Sequence, residues 1–116
     1  MHRPRTLILS PYAGDTTRNV AYAQAAMIDS IRRGEAPFLS HLLYTQVLDD
    51  TVGVERCLGF ELEWSWAQMT EHVASYEDYG ASPGMHQTAA RLQNYSNQNF
   101  GPPYIFEVRK LGAPWS

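Results

Sequence analysis

The sequence has one cysteine and no long apolar run, and both shortages narrow the classes of protein to consider. Cys57 has no second cysteine with which to form an internal disulfide, and CxxC spacing is absent. A chain without disulfides is typical of a reducing compartment, so we expect a cytoplasmic protein. No apolar run approaches the length of a membrane span, and residues 1–5 lack the apolar core of a signal peptide. We therefore expect no membrane partner.

Positive charge is also scarce. Nine Lys and Arg residues against twelve Asp and Glu residues leave a net charge of −3 at pH 7. This balance implies no large basic face, so we expect no nonspecific nucleic-acid binding, although a small anionic ligand needs only a local positive site. The four histidines show no metal-ligand spacing. We predict no metal site and no cofactor.

Apolar residues, by contrast, are sufficient for a core. The chain has 116 residues, of which 44% are hydrophobic and 18% charged, as is typical of a globular protein. A chain of this length suits one domain, and no internal repeat or linker interrupts it. We predict a single domain over residues 1–116.

One short stretch, from Leu7 to Asp15, carries the first functional signal. Three apolar residues run directly into Ser, Pro, Gly and Asp, and a helical pattern follows. This pattern is typical of a buried parallel strand that ends at a turn and is followed by a helix. The N-terminus of such a helix favours anions. The glycine pattern is neither a P-loop nor a GxGxxG, so an ordinary strand-to-helix turn without a ligand is the alternative.

The periodicity of apolar residues and the positions of glycine and proline predict the remaining strands and helices. Strands are predicted at residues 6–10, 37–41, 72–76 and 104–108, and helices at about 16–33, 52–68 and 84–94, followed by a polar loop over 94–103. In the second helix, Val54, Leu58, Leu62 and Trp66 recur at near-helical spacing and predict its apolar face. The alternation of strands and helices predicts an α/β fold. It is a single doubly wound, Rossmann-like or flavodoxin-like domain with a mostly parallel sheet of four or five strands and helices on both faces.

Three predicted strand ends then carry polar residues. The first runs from Ser10 to Gly14, the second ends at His41, and the third runs from Glu77 to Gly84. In open parallel sheets ligands bind outside the carboxyl ends of the strands, so we expect these segments to border one cleft. A lone histidine is more often structural than catalytic, and that alternative stays open for His41.

These segments together resemble the nucleoside 2-deoxyribosyltransferase-like superfamily. The superfamily includes the 2'-deoxynucleoside 5'-monophosphate N-glycosidases and small, often phage-encoded, uncharacterised proteins. The segments that carry the resemblance are Leu9-Ser10-Pro11-Tyr12-Ala13-Gly14-Asp15 with Asn19-Val20, Pro37 to Tyr44, Leu48-Asp49-Asp50, and Tyr76 to Met85. They extend from about residue 6 to about residue 95, which is most of the chain.

The resemblance implies a ligand and a set of site residues. It implies binding of a nucleotide or nucleoside in the cytoplasm of a bacterium or phage-infected host cell, by a protein that forms a homo-oligomer. It implies that Glu61, on the helix before the third strand, helps with the sugar. The residues implied to contact the ligand are Ser10, Tyr12, Gly14, Asn19, His41, Ser82, Gly84 and Met85.

At the position of the superfamily's catalytic nucleophile the sequence departs. That nucleophile is a glutamate four residues after the glycine that Gly84 matches, and here the position holds Thr88. Threonine cannot replace a carboxylate that forms a glycosyl ester. Glu77 and Asp78 on the preceding turn, together with Glu61, are the candidate catalytic carboxylates that a rearranged site could use. We therefore expect a nucleotide- or nucleoside-binding protein, and the alternative is an N-glycosidase or deoxyribosyltransferase whose catalytic carboxylate has moved.

Overall fold

The fold is built on one four-stranded, all-parallel sheet, which confirms the predicted α/β class. A computed structural model describes residues 2–115. The strands are β1 (Arg5–Leu9), β2 (Ala36–Phe38), β3 (His72–Tyr76) and β4 (Ile105–Arg109). Their order across the sheet is β2-β1-β3-β4. The sheet is therefore extended from β1 on both sides, by β2 on one side and by β3 and β4 on the other. The strand order changes direction between β1 and β3, and ligands of open α/β sheets bind at such a switch point.

Three helices cover the two faces of the sheet. They are α1 (Thr16–Arg32), α2 (Gly53–Ala67) and α3 (Pro83–Asn97). Because side chains alternate along β1, Leu7 and Leu9 point to the face covered by α2 and α3, whereas Ile8 packs with α1 on the other face. No helix within residues 2–115 is long and apolar enough to cross a membrane.

The helix ends follow local chemistry. Asp15 caps α1 by accepting a hydrogen bond from the backbone N–H of Arg18 at 3.1 Å. Gly34, with a φ of +85°, follows its last turn. Ser82 caps α3 by accepting from the N–H of Met85 at 3.3 Å, and Pro83 occupies the first helical position. These caps place the start of α1 and of α3 at the edge of the sheet where β1 and β3 end.

Two predicted boundaries were wrong. β2 ends at Phe38 and not at His41, which lies in a short 3₁₀ turn, Ser40–Leu42. The helix α3 continues to Asn97, through the first part of the predicted polar loop. Packing explains the second difference, since Tyr95 contacts Trp64 of α2 with ring centroids 5.4 Å apart. That tertiary contact outweighs the weak helix propensity of the asparagines.

The predicted apolar face of α2 was also wrong. Val54, Leu58 and Trp66 are 81%, 47% and 57% exposed, whereas Glu63 and Ala67 are the buried residues of this helix. The helix is thus rotated so that a carboxylate points inwards, and an apolar stripe faces outwards.

A buried ion pair links β4 to Glu35, which lies between α1 and β2. The guanidinium of Arg109 in β4 donates to both oxygens of Glu35, at 2.6 and 2.8 Å. Ser30 of α1 donates a third hydrogen bond to Glu35 at 2.7 Å. The hydrogen bonds from Arg109 are the largest cause that lowers the pKa of Glu35 to about 2.

This ion pair predicts a loss of stability in acid. The folded pKa of Glu35 lies below its unfolded value of 4.5, so its contribution is present above that value and is lost as the pH falls towards 2. The shift corresponds to about 3 kcal/mol of unfolding free energy. Urea unfolding at a series of pH values measures it, with the double variant Glu35→Gln/Arg109→Met as the comparison. We expect a flatter pH dependence for the variant, and equal slopes would contradict the prediction.

Candidate functional site

A pocket opens at the carboxyl end of β1. Its walls are the turn after β1, the 3₁₀ turn after β2, the inward face of α2 and the first turns of α3. It encloses about 140 Å³. The switch point between β1 and β3 thus carries a cavity, as expected for this topology.

Glu63 of α2 supplies the buried charge of this pocket. Its side chain is only 6% exposed. Ser40 donates a hydrogen bond to one carboxylate oxygen, and Thr88 of α3 donates to the other at 2.9 Å. Within residues 2–115 we find no ion pair to Glu63. A buried carboxylate held only by hydroxyl groups is costly in a core, and such groups are concentrated at functional sites.

Ser10, directly after β1, has an unpartnered hydroxyl. The residue is 1% exposed, lines the pocket, and its Oγ has no hydrogen-bond partner among residues 2–115. Buried polar atoms are almost always hydrogen-bonded. A ligand in the pocket would supply the missing partner.

Tyr12 and His41 form an aromatic pair at the pocket wall. Their rings stack with centroids 5.2 Å apart and planes inclined by 24°. Burial lowers the pKa of His41, and the negative charges of Glu63 and Asp50 oppose that change. The imidazole is therefore neutral at pH 7 and offers one donor and one acceptor.

Residues 4–99 match the model of one protein family, described as Domain of unknown function (DUF7768). The chain belongs to this family. The matched region runs from β1 to the end of α3, so it contains every residue of the pocket, and β4 lies outside it. No curated protein and no solved structure matched the chain.

The structure brings six of the ligand-binding residues expected from the sequence to one pocket. All of them lie in the segments that follow β1, β2 and β3. They are Ser10, Tyr12, His41, Ser82, Gly84 and Met85. Their contact with a ligand stays a prediction.

Gly14 and Asn19 do not line the pocket. Asn19 is buried, and its amide donates to the carbonyls of Tyr12 at 2.9 Å and Ala13 at 3.1 Å, so it holds the turn that shapes the site. Gly14 has a φ of +97° and allows the chain to enter α1. Both residues therefore stabilise the conformation of the turn after β1, and neither faces the pocket.

The three expected catalytic carboxylates also lie elsewhere. Asp78 accepts hydrogen bonds from the hydroxyl of Tyr22 at 2.5 Å and from the backbone N–H groups of Leu111 and Gly112, and these contacts fix the segment after β4. Glu77 lines a separate depression beside β4. Glu61 is exposed, pairs with Arg91 at 3.0 Å, and lines a groove between α2 and α3 that adjoins the pocket.

Glu63 was the residue missed from the sequence. Glu61 and Glu63 are separated by about 200° around a helix, so only one of them can face the pocket. The apolar spacing of α2 pointed to the wrong face. A weaker signal was present, since Gly59, Glu63 and Ala67 recur at intervals of four and place small residues on the side that approaches the sheet.

The titration of His41 tests this arrangement. We expect its pKa to lie below 6.5 because burial disfavours the imidazolium. Glu63→Gln removes a negative charge that favours protonation, so it should lower the pKa of His41 further. Glu61→Gln is the matched control and should leave the pKa unchanged. NMR titration of the imidazole signals measures all three proteins, and an unshifted His41 in Glu63→Gln would contradict the geometry.

Proposed function

We propose that this pocket binds a nucleotide or nucleoside, with its sugar against Glu63. The carrying observation is the buried Glu63 carboxylate, held by Ser40 and Thr88, beside the unpartnered hydroxyl of Ser10. Sugar hydroxyls can donate hydrogen bonds to a carboxylate, and they can also accept a hydrogen bond from a serine hydroxyl. The resemblance set out above supports the same ligand class, since six of its expected contacts line this pocket.

The walls suit the other part of such a ligand. The Tyr12 and His41 rings and the Phe60 ring give apolar surface of the kind that stacks against a nucleobase. Gly84 lies close to the Phe60 ring, and a Cβ at this position would lie only 3.3 Å from that ring. The absence of a side chain therefore leaves this part of the pocket open. Apolar walls with a few convergent polar groups are typical of small-molecule sites.

Calorimetric titration with the four common 2'-deoxynucleoside 5'-monophosphates tests the proposal. We expect saturable binding, and Glu63→Gln should weaken it by about tenfold to a hundredfold, because a hydrogen bond to a charged group contributes about 1.5–3 kcal/mol. Glu71→Gln, just before β3 and outside the pocket, should bind as the unmodified protein does. Absence of binding, or equal losses in the two variants, would overturn the proposal.

Cleavage of the N-glycosidic bond is a second candidate function. The observation that favours it is the hydrogen bond from Thr88 to Glu63. Thr88 stands where the resembling enzymes carry their nucleophile, so a carboxylate reaches the same part of the pocket from α2. A carboxylate there stabilises an oxocarbenium-like transition state. Against it, both oxygens of Glu63 already accept hydrogen bonds from hydroxyl groups, which weakens the carboxylate as a nucleophile.

The same samples decide between the two candidates when they are analysed for free base. Binding without base release supports a binding protein. Base release that falls by about 10²–10³-fold in Glu63→Gln, with Glu71→Gln unchanged, supports the glycosidase. Release that persists in Glu63→Gln would remove Glu63 from the chemistry.

The homo-oligomer and the cytoplasmic location stay predictions. The exposed stripe of Val54, Leu58 and Trp66 on α2 supports the first of them, because contiguous exposed apolar surface marks interaction sites.

A further inference from the structure

A second cavity adjoins the pocket. It is a groove of about 480 Å³ between α2 and α3, and its wall includes Trp64 and Arg91. Four residues line both cavities. These shared residues are Arg56, Phe60, Glu63 and Thr88. The pocket and the groove therefore form one cleft, with the Glu63 carboxylate at the junction.

The volumes favour a ligand that uses both parts. The inner pocket encloses about 140 Å³. Sites for small molecules and cofactors usually enclose about 300–1,000 Å³. With the sugar at Glu63 and the base along Tyr12 and His41, a further group of the ligand has room to extend into the groove.

The groove carries two guanidinium groups, and they differ in their partners. Arg91 lies over the Trp64 ring, 4.0 Å from its centroid, and pairs with Glu61 at 3.0 Å. Arg56 forms no ion pair within residues 2–115, and its nearest aromatic contact is Phe60, with its guanidinium carbon 5.8 Å from the ring centroid. Its charge also reaches the pocket, where it is one of the causes that lower the pKa of His41. Arg56 therefore has guanidinium N–H donors available for a ligand at the junction.

We propose that Arg56 binds the phosphate of a nucleotide whose sugar lies at Glu63, so that the ligands of this cleft are nucleoside phosphates and not free nucleosides. The inference rests on the proposed function and names the substrate class of that same site. A planar guanidinium matches phosphate oxygens with two parallel hydrogen bonds. It also offsets the repulsion between the phosphate and the Glu63 carboxylate.

Calorimetric titration of a 2'-deoxynucleoside and its 5'-monophosphate with three proteins tests the inference. The proteins are the unmodified chain, Arg56→Gln, and Arg32→Gln as the matched control. Arg32 is an exposed arginine at the end of α1, on the other face of the sheet. We expect the monophosphate to bind at least about tenfold more tightly than the nucleoside, which corresponds to about 1.4 kcal/mol. Arg56→Gln should remove this preference, whereas Arg32→Gln should keep it.

Three other outcomes overturn the inference. If nucleoside and monophosphate bind equally, the pocket holds a nucleoside and the proposed function stands without the phosphate contact. If inorganic phosphate alone binds as tightly as the monophosphate, Arg56 marks a plain anion site. If neither organic ligand binds, the proposed function fails together with the inference.

Discussion

The hydrogen bonds that Ser40 and Thr88 donate to Glu63 hold the candidate site together. They join three segments that are distant in the sequence: the turn after β2, the middle of α2 and the second turn of α3. Without these donors the carboxylate would be buried and unsatisfied, which is strongly unfavourable. Satisfying this group requires α2 to present Glu63 inwards, with Ser40 and Thr88 within hydrogen-bond distance of it.

The sheet topology explains why the hydroxyl groups meet there. Parallel strands end at the same edge, and the reversal between β1 and β3 leaves space between the segments that follow them. Ser10 comes from one of these segments, Ser40 from the turn after β2, and Thr88 from the helix after β3. The Arg109–Glu35 ion pair lies outside the lining of this pocket and links the end of β4 to the residue before β2, which contributes to stability.

Local chemistry made most of the fold predictable. The continuous apolar run of β1 and the cap formed by Asp15 gave the first strand and helix nearly to the residue. The face of α2 was not predictable in this way, because the choice between Glu63 and the apolar stripe depends on donors 23 and 25 residues away along the chain. The position of Asp78 outside the pocket has a similar cause, since its partners Leu111 and Gly112 lie 33 and 34 residues further on. Short-range patterns place strand ends, but they do not show which carboxylate long-range contacts will bury.

A crystal structure of the protein soaked with a 2'-deoxynucleoside 5'-monophosphate tests the central claim most directly. The account predicts a sugar oxygen within hydrogen-bond distance of Glu63, about 2.6–3.2 Å, with Ser10 contacting the ligand. The base should lie along the Tyr12 and His41 rings. A ligand bound away from this pocket, or a Glu63 carboxylate that contacts only Ser40 and Thr88 while the ligand is present, would contradict it.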